Sequence, residues 1–110
     1  MKIAIVNCLR ANSVCTGASC LEAMNQRTRS FAPYEGRDIT LGAFMRCSGC
    51  GHTVETDEGM TEKMERLLAM HPDAVHFGKC TEKDGRLCET LQSLKERLEE
   101  AGIAIVMGTH

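Results

Sequence analysis

Hydrophobic positions along the chain fall into two kinds of run. Residues 2–7, KIAIVN, are almost continuously apolar and β-branched, the pattern of a strand covered on both faces, and IAIVM at 103–107 repeats it. After the turn-forming YEGRD, Ile39, Leu41, Ala43 and Met45 alternate with other residues and predict a second strand closing at Cys47. DAVHFGK, 73–79, predicts a third strand that reaches Cys80.

Between the strands the period lengthens. Met60, Met64, Leu67, Leu68 and His71 recur at three- and four-residue steps behind Asp57, a residue suited to cap a helix, and Pro72 stops the run. Leu87, Leu91, Leu94, Leu98 and Ala101 form a second stripe, ended by Gly102 after a short loop with Asp84-Gly85. A shorter helix is expected from about Cys20 to Arg29, with Leu21 and Met24 inward.

The order β-α-β-α-β-α-β with right-handed crossovers predicts an α/β fold in three layers, α/β/α, around a four-stranded parallel sheet in the flavodoxin-like order 2-1-3-4. With 110 residues, positions 1–110 make one domain. In such a sheet every strand ends on the same edge, where open α/β sheets bind their ligands.

Composition narrows the function. Apolar residues are 43% and charged residues 25%, a globular mix. The formal net charge is −2 with basic residues scattered, so no nucleic-acid partner is expected. The apolar runs are too short to cross a bilayer and no signal-peptide layout opens the chain, so neither a membrane partner nor export is expected; the location predicted is the cytoplasm.

Seven cysteines stand at 8, 15, 20, 47, 50, 80 and 88. An odd number in a reducing compartment favours metal binding or thiol chemistry over disulfides. Their placement matters more: Cys8 follows the first strand, Cys47, Cys50 and His52 the second, Cys80 the third and His110 the fourth. One rim of soft ligands results, suited to a tetrahedral zinc or to an iron–sulfur cluster, with Cys-x-x-Cys letting two sulfurs of one loop reach the same metal. Gly49 and Gly51 let the loop wrap closely.

Other candidates read more plainly as structure. Cys20 is expected to pack on its helix, His71 to end a helix, His76 to sit in the core, and Met60 with Met64 to fill it.

With these residues in view, the chain resembles the CGGC-domain family, small prokaryotic proteins regarded as metal-binding and chiefly zinc-binding. The likeness spans the chain and rests on Cys8, on Cys15 in VCTG, on Cys47 and Cys50 in CSGC, on Cys80, on Cys88, and on the terminal Thr109-His110. Ser48 replaces the first glycine of Cys-Gly-Gly-Cys, and Glu89-Thr90 stands where relatives often carry Pro-His. The resemblance implies a metal site drawn from Cys8, Cys15, Cys47, Cys50, His52, Cys80, Cys88 and His110, and little about catalysis.

Three rivals remain. A thiol–disulfide oxidoreductase would use Cys47 and Cys50, but GHTVET separates them from the next helix, whose dipole such pairs exploit. CLRANSVC resembles a phosphate-cradling loop of low-molecular-weight phosphatases, yet the arginine needed five residues past Cys8 or Cys15 is Val14 or Leu21, and Arg10 does not fit. A purely structural zinc or an interaction module would use the same thiols.

Overall fold

The apolar run at the start of the chain becomes the centre of the sheet. The computed structural model describes residues 1–110. In chain order it has β1 (Lys2–Asn7), α1 (Ala18–Gln26), β2 (Thr40–Arg46), α2 (Glu58–Met70), β3 (Ala74–Phe77), β4 (Glu82–Lys83), β5 (Arg86–Leu87), α3 (Glu89–Glu100) and β6 (Ala104–Met107). Short 3-10 turns follow β1 (Leu9–Ser13), α1 (Arg29–Tyr34) and β3 (Lys79–Thr81).

Four strands form one parallel sheet in the order β2-β1-β3-β6. This is the expected order, the fourth sheet strand being β6 because a ribbon is inserted before it. That ribbon, β4 paired antiparallel with β5 around Asp84-Gly85, is a correction to the simple loop the sequence suggested. Asp-Gly at the tip is the signature of a tight hairpin turn, and Asp84 takes φ 54 and Gly85 φ 77 there.

The two faces of the sheet differ. Ala4, Val6, Val75 and Phe77 pack against Met60, Met64 and Leu67 of α2 and Leu91, Leu94 and Leu98 of α3. Ile3, Ile5 and Ala74 face the other way, onto Cys20 and Ala23 of α1 and Phe31 and Tyr34 of the 3-10 turn. Each fully buried Leu, Ile or Phe contributes on the order of 1.5–3 kcal/mol relative to exposure.

One sequence expectation needed revision. Ile39, Leu41, Ala43 and Met45 were expected along one strand face, but Ile3 pairs with Leu41 while Ala4 pairs with Ala43, so Gly42 is bulged out. Ile39 and Leu41 therefore join the α1 side, whereas Ala43 and Met45 join the α2 side. The first helix also starts and stops earlier than expected, at Ala18 and Gln26, because Gly17 and Arg27 both take left-handed backbone at its ends.

His71 ends α2 as expected: its φ is 51 and its N–H bonds to the Leu67 and Leu68 carbonyls, each at 3.1 Å. His76 lies buried on β3, its ring stacked on Phe31 with centroids 4.2 Å apart and its Nε2 2.8 Å from the Tyr34 hydroxyl. Its Nδ1 has no partner, and burial holds its pKa below the ordinary value.

Candidate metal centre

The end of β1 is the hub of the candidate centre. Parallel pairing continues one step past β2, where the Cys47 N–H donates to the Asn7 carbonyl at 3.0 Å, so Cys47 sits beside Cys8. Next the backbone turns, and the amides so freed point at sulfur. The Cys8 N–H donates to Cys80 Sγ at 3.2 Å, and the Leu9 N–H donates to Cys47 Sγ at 3.3 Å. Thiols from the ends of three adjacent strands are thus tied to one turn. Backbone amides aimed at sulfur favour the thiolate, the form that binds metal.

Arg10 joins them from the same turn, its Nε 3.4 Å from Cys8 Sγ. Burial pushes the Cys8 thiol up, but the side-chain and backbone hydrogen bonds of Arg10, its charge and the Cys47 thiol outweigh that, and Cys8 falls below its ordinary pKa. Cys80 goes the other way, raised by burial and by the neighbouring Cys8, Cys20 and Cys15.

Cys50 and Cys88 form an outer level. In the CSGC loop Gly49 takes φ 117 and Gly51 φ 89, which side chains other than glycine adopt with strain. The loop carries Cys50 to the surface, and the Thr90 hydroxyl clamps it by donating to the Gly49 carbonyl at 3.2 Å and to the His52 carbonyl. Cys88 is the residue before α3, and it lines the same cavity as Cys50 and Arg10, of about 420 Å³. Partial desolvation and the Cys88 charge raise the Cys50 thiol.

The remaining candidates stand apart. His52 is half-buried with Nε2 unpartnered and 3.8 Å from Asp57 Oδ2. Cys15 Sγ accepts from the Gly17 N–H at 3.3 Å, on the α1 side of the rim. His110 lies against Thr109, Nδ1 to Oγ1 3.1 Å, and 3.8 Å from Cys20 Sγ. Cys20 is buried as expected, but it also lies 3.0 Å from Thr109 Oγ1 and bears on Cys80, so it is the inner end of this second group. Cys8, Cys47, Cys80 and Cys88 therefore pack on the α2–α3 side of the sheet, Cys20 meets His110 on the α1 side, and Cys15 bears on Cys80.

The thiol-rich donor set suits a soft or borderline ion such as Zn²⁺, and the orphaned His52 nitrogen is of the right kind. The side chains are not gathered into a closed cage: no three His, Cys, Asp or Glu groups meet in metal-holding geometry. Arg10, set aside because it misses the phosphatase spacing, proves to contact Cys8. Its signal was its place two residues after a strand-ending thiol.

Against known families, the model described as CGGC domain matches residues 2–110. No curated protein and no solved structure matches the chain.

Proposed function

The chain belongs to the CGGC-domain family, and from that premise we propose that it is a small metal-binding protein whose cysteines hold zinc at the carboxyl edge of the sheet. The observation that carries this reading is the pair of amides at Cys8 and Leu9 donating to Cys80 and Cys47, which brings thiols 72 and 38 residues away to one turn. Cys8, Cys47, Cys50 and Cys80 are the preferred ligands. Cys88, His52 and Cys15 are the reserves, and His110 belongs to the neighbouring group with Cys20. Zinc there would fix the thiolates and hold the three strand ends together; with a position left open it would act as a Lewis acid. An iron–sulfur cluster would use the same sulfurs.

The oxidoreductase reading of Cys47 and Cys50 has less support. The pair lies well before α2, which begins at Glu58, so no helix amino end activates it, and Cys47, the first thiol of the pair and the one that would attack, is buried.

Elemental analysis with an absorption spectrum, on protein purified without oxygen, tags or chelators, tests the proposal. About one zinc per chain in a colourless sample is expected, as for a structural or catalytic zinc domain. Iron with labile sulfide would move the site to cluster chemistry, and no metal with Cys47 and Cys50 cycling between dithiol and disulfide would favour the rival.

A further inference from the structure

The cavity outside Cys50 and Cys88 has a charge unlike the rest of the molecule. Its walls come from two places: Arg10 from the turn after β1, and Lys83, Asp84 and Arg86 from the β4–β5 ribbon. Three cations face one carboxylate in a chain whose formal net charge is −2. None of the three is spent on a partner carboxylate, since the ion pairs of the structure involve other residues. Arg10 gives one N–H to Cys8 Sγ, and its charge also reaches Cys50 and Cys88, while Lys83 and Arg86 make no side-chain hydrogen bond.

Like charges gathered on a concave wall repel one another unless an anion offsets them, and a concave wall focuses their field. The α3 helix opens at Cys88 without a side-chain cap, but Glu89 in its first turn offsets its amino end, so the field of the cavity rests on the three side-chain cations. A volume of about 420 Å³ fits a small metabolite rather than a macromolecule. The ribbon has no other evident task, since its two-residue strands bury little and lie outside the main sheet.

We propose that this cavity binds a small ligand carrying two or more negative charges, on carboxylate or phosphate oxygens, and holds it against Cys50 and Cys88. Arg10 and Arg86 supply forked donors and Lys83 a point charge, while Asp84 disfavours ligands of a single negative charge. The proposal does not depend on which metal the thiols hold, and it stands if they hold none.

Calorimetric titration of the protein as purified with succinate and with inorganic phosphate tests it, because both are weak chelators that leave a bound metal in place. At least one should bind in low salt. Lys83→Met with Arg86→Met, both exposed positions, should weaken that binding by about tenfold or more, as loss of charge-assisted contacts implies. Circular dichroism checks that the double variant keeps its fold, and Arg66→Met, which removes a cation from α2, should bind as the parent does. Succinate alone would identify a carboxylate ligand and phosphate alone a phosphorylated one. Binding of neither probe, equal binding by the double variant, or equal weakening by Arg66→Met would overturn the proposal.

Discussion

The inner and outer thiols of the sheet edge are built by different means. Cys8, Cys47 and Cys80 are fixed by β1, β2 and the 3-10 turn after β3, and Cys47 and Cys80 each take a backbone N–H on sulfur. Cys50 and Cys88 are carried by a glycine loop and by the residue before a helix, half-open to a cationic cavity. The inner group therefore belongs to the fold's own hydrogen bonding, and the outer group is free to respond to a ligand. Rigid positioning below and adjustable closure above is a workable division for a metal site.

Substitution should separate the two levels, the largest effect coming from below. Cys47→Ser removes a proposed ligand and leaves the Leu9 amide facing a smaller, shorter side chain. Bound metal should disappear, and the metal-free protein should lose about 1–3 kcal/mol, read as a melting temperature about 5–15 °C lower. Cys50→Ser should also reduce bound metal, yet shift metal-free stability by less than about 0.5 kcal/mol, because Cys50 is exposed. Equal destabilisation by both, measured by denaturant unfolding after chelation, would erase the distinction.

A pH series sharpens it further. Cys8 is held below its ordinary pKa against the opposing effect of burial, chiefly by Arg10, so it is ionised in the fold before it is ionised in the unfolded chain. Metal-free stability should rise from that lowered value toward the ordinary thiol pKa of about 8.5, and be lost on acidification. Cys80 and Cys50 are raised, so their contribution is full below about 8.5 and lost as pH climbs through their folded values. Arg10→Met should abolish the rise and leave the fall, which unfolding curves in reductant would reveal.

The smallest effects are expected away from the inner group. His110→Ala should leave metal content unchanged, since His110 sits with Thr109 and Cys20. Ser48→Gly, which restores Cys-Gly-Gly-Cys, should also keep the metal and cost less than about 1 kcal/mol through added freedom of the unfolded chain. Loss of metal in either variant would redraw the site.

Much of the fold was legible because period and punctuation agreed. Asp57 caps α2 with its carboxylate accepting from the Met60 N–H at 2.9 Å, and the α3 leucines bury as their spacing implied. The Gly42 bulge was not legible: a bulge keeps the alternation of residue types while reversing the face, and only the pairing of Ile3 and Ala4 with β2 exposes it. The 3-10 turn at Arg29–Tyr34 was missed because Phe31 and Tyr34 give too few apolar positions to show a period.

The juxtaposition of three thiols was legible through topology rather than motif. Strand ends predicted that Cys8, Cys47 and Cys80 would meet, whereas the placing of His110 with Cys20 depends on which side of the sheet the last strand leaves. The cations of the outer cavity were hidden for the same reason. Lys83 and Arg86 looked scattered along the chain until the Asp84-Gly85 turn folded them toward Arg10.

X-ray absorption at the metal edge of the purified protein tests the central claim most directly, since it counts the atoms around the ion. The account predicts three or four sulfur neighbours at about 2.3 Å, as for thiolate-bound zinc, with at least one lost in whatever metal Cys50→Ser retains. A shell of oxygen and nitrogen alone, unchanged by Cys50→Ser, would contradict it.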